Sequence, residues 1–392
     1  MGRADVAVVG SGLAALALAH RLSDGGVDVI LLGAGDADAV EEAGIGLVET
    51  TTPEPFRRTV GLLGAGAAAS LHELSRRNAD QMSRLPAARA AGFTRSGAFH
   101  LTTDAAELEE ISDSARLMRR HRPGDAPWEI LDAGAAAART ATTGFVGGVF
   151  RPDDASIDPL RFLEEVEGEA RRSGARIEKH LVVTRIDMDA AEGPRLHTQG
   201  GVVRAEMAVL AAGASGVTLN GMVREKVVPV LGQGLTMEGP GAGPPPDGDR
   251  LVPISANFGH LRARRTRRAG GGMALAAWNI PWSLKGSEPD GSKHEVLEDQ
   301  QNKIARYLTG HFPDASGARV GRRGAAHLAW TADTLPIAGP APGQPRLIFC
   351  TGFCGHEWSL AWAVAQAVAD GVTGQPPPGG FELLSPRRFM TG

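Results

Sequence analysis

The stretch "VAVVGSGLAALALAHRL", Val6–Leu22, decides the fold. Val6–Val9 is an unbroken apolar run, the pattern of a short strand buried on both faces. "GSGLAA", Gly10–Ala15, follows at once, and an apolar helical stretch continues to Leu22. Val27–Leu32 reads as a second buried strand. Strand, glycine turn, helix and strand in about thirty residues open a doubly wound sheet of the dinucleotide-binding kind. Each small residue has a physical task. Gly10 permits the tight turn, Gly12 lets the backbone approach a pyrophosphate, and Ala15 lets the helix pack closely on the strand. The first helical turn, with Leu13 and Ala14, then presents unpaired N–H groups to the phosphates.

The second strand, in "VILLGAGD" (Val29–Asp36), departs from that pattern. An acidic side chain is expected at its end to hold the adenosine ribose. Gly33 stands there instead, and Asp36 comes three residues later.

Bulk properties bound the rest. The 392 residues suit two closely joined domains. Hydrophobic content of 42% and charged content of 22% are those of a globular protein. A net charge of -4 gives no reason to expect nucleic acid as a partner. No apolar run reaches the roughly 18 to 20 residues of a membrane span. The first apolar segment lacks a basic leader and reads as a strand–turn–helix unit, not a signal peptide. A cytoplasmic location is therefore expected. The two cysteines, Cys350 and Cys354, exclude a disulfide framework and make a poor metal site. Their spacing is not C-x-x-C, which argues against a redox pair.

Further along, "SLHELSRRNADQM" has helical spacing. "RSGAFHLTTDAAELEEI" reads as strand, turn and helix. "GGVFRPDDASIDPLRFLEEVEGEARRSGARIEKH" gives a strand, an Asp/Pro-rich turn, a helix from near Asp158 and another strand. "AEMAVLAAGASG" is a buried strand ending in small residues, suited to a second close backbone approach to a cofactor. "GPGAGPPPDGD" is a loop. "HLRARRTRRAGGGMALAAW" is a hairpin with a basic turn, and "HEVLEDQQNKIARYLTGHF" an amphipathic helix that carries the single tyrosine, Tyr307. "RLIFCTGFCGHEWSLAWAVAQAVADGV" closes the chain with strand, glycine turn and helix. Sheet-and-helix units thus occupy the start, middle and end, with strand-rich segments between them. The expected fold is α/β: a discontinuous Rossmann-like cofactor domain with an inserted, mainly antiparallel substrate domain.

These segments, in this order, resemble the FAD-dependent oxidoreductases of the D-amino acid oxidase type, with a layout like glycine oxidase and monomeric sarcosine oxidase. The resemblance covers essentially the whole chain. It rests on "VAVVGSGLAALALAHRL", "GGVFRPDDASIDPLRFL", "GARIEKHLVVTRI", "AEMAVLAAGASG", "VVPVLGQGLTM", "WTADTLPIAGPAP" and "IFCTGFCGHEWSLAWAVAQAVADGV". It implies an FAD-binding domain of residues 1–85, 149–222 and 325–392, and a substrate domain of residues 86–148 and 223–324. It implies noncovalent FAD, with contacts at Gly10, Gly12, Leu13, Ala14, Gly44, Val183, Ala212, Gly213, Gly352, Phe353, Cys354, Gly355 and His356. The family's chemistry moves a hydride from a C–H beside nitrogen to flavin N5, and the electrons pass to oxygen or another acceptor. The turn "GFCGHEW" would bring a helix N-terminus to the flavin pyrimidine ring, where charge builds on reduction. Cys354 stands where relatives commonly have a small residue, and is either a flavin neighbour or a small buried thiol.

Several positions depart from the family pattern. Glu41 or Glu42 could reach the ribose in place of the acid missing at Gly33, or be solvated loop carboxylates. Leu328 falls where glycine oxidase-like enzymes place the arginine that holds the substrate carboxylate. Ser359 replaces the lysine of sarcosine oxidase-like enzymes, and the flavin-linking cysteine expected near Ala326 is absent. The family's substrate tyrosines are missing too. "RARRTRR", Arg262–Arg268, is either a solvated basic turn or an anion site for phosphate, carboxylate or an acidic carrier protein. Strand alternation would point Arg262 and Arg264 to one face and Arg265 to the other. Trp278, Trp282, Trp330 and Trp358 could line a pocket for a larger, flatter substrate or belong to the core. Arg262, Arg264, Trp330 and Trp358 are the candidate substrate contacts, and His327, His356 and Glu357 the candidate catalytic groups.

The expected function is oxidation of a C–N bond in an amine or unusual amino-acid-derived small molecule, in specialised metabolism. The alternatives are C–O, C–C or redox-neutral chemistry on the same fold, or a non-catalytic relative that has lost tight FAD binding. No membrane or nucleic-acid partner is expected.

Overall fold

A computed structural model of the chain describes residues 2–33, 45–189, 192–239, 252–267, 273–280, 284, 287 and 294–390. Gly44, Asp36, Glu41, Glu42, Trp282 and Arg268 lie outside the described residues.

Two eight-stranded sheets carry the fold. In the first, Arg3–Val9 is central, with Val29–Leu32 parallel on one side and Gly201–Leu210 parallel on the other. Arg176–Glu178 extends it beyond Val29–Leu32, and Gln344–Thr351 beyond Gly201–Leu210, again in parallel. Ile337–Ala341 adds an antiparallel edge, and Val183–Asp189 and Gly193–Thr198 form an antiparallel pair beside Gly201–Leu210.

The unbroken apolar run at Val6–Val9 follows from burial on both faces. Val6 and Val8 join the core that holds the helices Leu13–Asp24, Pro159–Arg172 and Glu357–Val372. Ala7 and Val9 point the other way, into a core with Val203, Ala208 and Phe349. Asp158 caps the helix Pro159–Arg172 by accepting from the N–H of Arg161, which fixes the start expected from the sequence.

The chain leaves Arg3–Val9 for a neighbour on one side and receives Gly201–Leu210 on the other. The strand order therefore reverses there, and such a switch point leaves a crevice beyond the carboxyl ends of the strands. Gly10, Ala211 and Thr351 all lie at that end.

The second sheet runs Arg319–Thr331, Val227–Glu238, Met273–Asn279, Leu261–Arg267, Ile254–Ala256, Ala98–Thr102, Gly147–Arg151 and Glu129–Asp132. Among the described residues of this sheet, only the contact between Ile254–Ala256 and Ala98–Thr102 is parallel. The strands Gly147–Arg151 and Arg319–Thr331 run across residues 149 and 325, where domain boundaries were expected. Arg319–Thr331 thus begins in the antiparallel layer and delivers its last residues to the mouth of the first sheet.

Candidate active site

A cleft opens at the switch point. Gly10–Ala14, Ala211–Ser215 and Cys350–Phe353 line it, at the carboxyl ends of three parallel strands. His294, His327, Ala329 and Glu357 complete the wall. Gly10 sits at φ +137, and a Cβ there would stand 2.2 Å from the carbonyl oxygen of Ala211. The backbone can turn this tightly only because the residue is glycine. The helix Leu13–Asp24 starts at Gly12 with no side-chain cap and no acid in its first turn. The helix Glu357–Val372 likewise starts without a side-chain cap. Uncapped N–H groups and the positive end of the first helix therefore face the cleft, a donor set that fits a diphosphate.

The position where an acid is expected for a ribose has a different surface. Gly33 donates its N–H to Glu178 O at 3.3 Å and accepts from the N–H of Val183 at 3.0 Å. A Cβ at Gly33 would lie 1.9 Å from the carbonyl oxygen of Lys179. The expected acid is thus missing because backbone fills its place. Val183, expected to contact the cofactor, has its N–H engaged by Gly33.

The last turns of the strand Arg319–Thr331 divide this cleft from a second cavity. His327 and Ala329 line the cleft, while Leu328, between them, lines the other side. Strand alternation alone produces this division. The second cavity is bounded by apolar Leu13, Ile45, Leu47, Trp278, Leu328 and Trp358, and Glu49, Arg262, His356, Glu357 and Ser359 are its polar members. Leu13 and Glu357 line both spaces.

A buried charge network floors the second cavity. Glu49 accepts from Arg262 Nε at 3.0 Å and from Arg151 Nη2 at 2.6 Å. Arg151 also donates through Nε to Asp154 at 2.6 Å, and Asp154 accepts from the N–H and the hydroxyl of Thr50. Arg262 donates through Nη1 to Gly355 O at 3.1 Å and through Nη2 to His356 Nε2 at 2.9 Å. His356 Nε2 is therefore an acceptor, which leaves Nδ1–H to donate to Cys354 O at 3.1 Å. Burial, reinforced by Arg262, pushes His356 down to about 3, so the imidazole is neutral. Burial would raise the Glu49 carboxyl, but the guanidinium groups of Arg262 and Arg151 outweigh it and hold the group well below the usual carboxylate range. Glu49, Arg151 and Asp154 escaped the sequence reading. Arg151 and Asp154 did lie in the quoted "RPDD" turn; Glu49 had no local signal.

The structure gathers Gly10, Gly12, Leu13, Ala14, Ala212, Gly213, Gly352, Phe353, His327 and Glu357 in the first cleft. It places Arg262, Gly355, His356 and Trp358 at the second cavity. His327 pairs with His294, Nδ1 to Nδ1 at 3.4 Å. Burial pushes Glu357 above the usual carboxylate range, against the opposing pull of its own backbone N–H and Arg262. Cys354 is fully buried behind the turn, where its Sγ accepts from the N–H of Thr331 at 3.3 Å, and burial pushes the thiol up to about 12. Trp330 stacks on His260, with centroids 6.0 Å apart. Arg264 donates to the carbonyls of Ile157 and Ile45 and is itself among neither set of lining residues. Arg265 turns to the opposite face and pairs with Asp314 at 2.7 Å. The alternation expected along the strand holds, but these three arginines bind internal carboxylates and carbonyls. Arg262, Arg264 and Arg265 thus give no support to the expected acidic carrier protein.

The fold and cleft define a dinucleotide-binding oxidoreductase scaffold. The chain belongs to the FAD dependent oxidoreductase (DAO) family, whose sequence pattern matches residues 5–371. It is thus an FAD-dependent oxidoreductase. It is 26% identical over 305 residues to a D-amino acid dehydrogenase of Paramagnetospirillum magneticum, covering 75% of this chain and 67% of that one. It is 23% identical over 267 residues to a glycine oxidase of Bacillus licheniformis, covering 68% and 67%. The crystal structure of glycine oxidase from Geobacillus kaustophilus superposes with a TM-score of 0.77 at 20% identity, covering 98% of each chain. No helix among the described residues is long and apolar enough to cross a membrane.

Proposed function

We propose that the protein oxidises the C–N bond of an amine or amino-acid-derived small molecule, using noncovalent FAD. The observation that carries this reading is the single cleft formed by three parallel-strand ends and two uncapped helix N-termini. When bound, FAD supplies the hydride acceptor and passes electrons to oxygen or another acceptor. Gly10, Gly12 and the N–H groups of the first helical turn would hold its diphosphate. Gly352 and Phe353 would bring the closing helix against its other half, with Glu357 at the junction of the two cavities. Leu13, Trp278, Leu328 and Trp358 supply apolar walls that keep water from the reacting atoms. Covalent attachment through Cys354 is disfavoured, because that thiol lies behind the turn with its proton firmly held. The named relatives act on amino acids, which supports a nitrogen-bearing substrate.

The test is release of yellow FAD by acid precipitation of the purified protein, then anaerobic bleaching of the bound flavin by a panel of amines and amino acids. Bleaching by a nitrogen compound, with the corresponding carbonyl product, is the expected result. A second reading, a relative with weak FAD binding, is favoured by the filled position beside Gly33 alone. Failure to reconstitute with added FAD would establish it.

A further inference from the structure

The two cavities contain an imbalance of charge. In an amino-acid site a free cation is the strongest partner for the substrate carboxylate. Among the described residues the cations that line the second cavity and its floor are Arg262 and Arg151, and both are engaged by buried carboxylates. To release Arg262 for a substrate would strip Glu49 of a partner in a water-excluded site, and breaking a buried pair is strongly unfavourable. The side chain of Arg262 is further tied to Gly355 O and His356. The position that faces the cavity from the dividing strand is Leu328, 3% exposed and apolar. The neutral His356 adds no positive charge.

Glu357 is the counterpart to this exhausted set of cations. It lines both cavities at the start of the closing helix. Among the described residues no side chain forms an ion pair with it; its own backbone N–H is its hydrogen-bonding contact. Around it stand Arg262, already neutralised by Glu49, the neutral His356, and the His294–His327 pair across the cleft. Trp278 and Trp358 also line the second cavity, and an aromatic ring face attracts a cation.

We propose that the substrate is an organic ammonium with no carboxylate beside its nitrogen, and that Glu357 is the group that receives it. This rests on the reading of the protein as an oxidase or dehydrogenase of C–N bonds. On binding, an N–H bond of the ammonium breaks and an O–H bond forms on the Glu357 carboxylate. The nitrogen lone pair is thereby freed, and a neutral amine, the form that can lose hydride from the adjacent carbon, remains in the cavity. Burial of Glu357 strengthens its hold on that proton.

The experiment uses two probes of matched shape on the FAD-loaded protein. 2-Phenylpropan-2-ylammonium has no hydrogen on the carbon beside nitrogen and cannot be oxidised there. 2-Methyl-2-phenylpropanoate replaces its ammonium with a carboxylate. Binding is read by titration calorimetry. The ammonium is expected to bind at least about tenfold more tightly than the carboxylate. Glu357→Gln is expected to weaken the ammonium by a similar factor, and Glu357→Asp to retain part of the preference. Equal or tighter binding of the carboxylate by the unaltered protein overturns the proposal, whatever the variants do. Unchanged ammonium binding in a folded Glu357→Gln protein overturns it too. Flavin bleaching by amino acids but not by simple amines would remove this inference and leave C–N oxidation standing. A flavin bleached by no nitrogen compound would remove the underlying reading.

Discussion

The guanidinium of Arg262 and the carboxylate of Glu49 are 213 positions apart in sequence and meet at 3.0 Å through Nε and 2.9 Å through Nη2. The pair fastens the antiparallel sheet to the segment that follows the first helical unit, and both side chains are almost wholly buried. Glu49→Gln would leave Arg262 and Arg151 facing each other without the intervening charge. The expected loss is roughly 3 to 5 kcal/mol of stability. Urea unfolding of the variant beside the parent protein measures it, and a loss below about 1 kcal/mol would contradict the assignment.

His356 gives a prediction in pH. Its folded value is pushed down to about 3, against an ordinary value of 6.5. The unfolded chain therefore binds one proton more between those limits. Stability from this group is full above about pH 6.5 and falls as pH drops toward 3, at up to about 1.4 kcal/mol per pH unit. In His356→Gln, the loss of stability between pH 7 and pH 5 should shrink relative to the parent. An unchanged slope in denaturant titrations at the two pH values would show that His356 titrates normally.

Gly33→Asp tests whether an acid can simply be restored at the ribose position. The Lys179 carbonyl occupies the space a Cβ would need. The variant should therefore melt at lower temperature and retain less FAD than the parent, at an overpacking cost of roughly 1 to 3 kcal/mol. Thermal unfolding and the flavin absorbance of the purified variant give the two readouts. Higher FAD occupancy would mean that the backbone of Lys179 moves aside.

Both thiols are buried, and burial pushes each up to about 12. Neither should react with a chromogenic disulfide reagent at pH 8 in the native protein, because so little thiolate is present and access is closed. Two equivalents should appear after unfolding in guanidinium, since the chain has 2 cysteines. Rapid reaction of one thiol in the native state would show that the turn at Cys354 opens.

The parts of the fold that depend on local pattern were legible in the sequence. The glycine turns at Gly10 and Gly352 and the apolar strands beside them announced the cleft, because backbone approach and two-sided burial leave local signatures. The alternation of Arg262, Arg264 and Arg265 was legible for the same reason. Their burial was not: a basic run looks solvated until Glu49 and Asp314 are brought to it from distant parts of the chain. The reason for Gly33 was equally hidden. The sequence shows a glycine where an acid is expected, but the carbonyl that excludes a side chain belongs to Lys179, in another strand connection.

The strand Arg319–Thr331 carries a consequence for how such a protein changes over generations. Ala326 and Leu328 belong to the apolar cluster with Trp278 and Ile280, whereas His327 and Ala329 face the cleft. A pleated backbone assigns adjacent codons to separate compartments. The side chain at 328 can therefore be exchanged while the neighbours at 327 and 329 stay in register. Change in the wall of one cavity and constancy in the wall of the other are in this way mechanically uncoupled along one ribbon of chain.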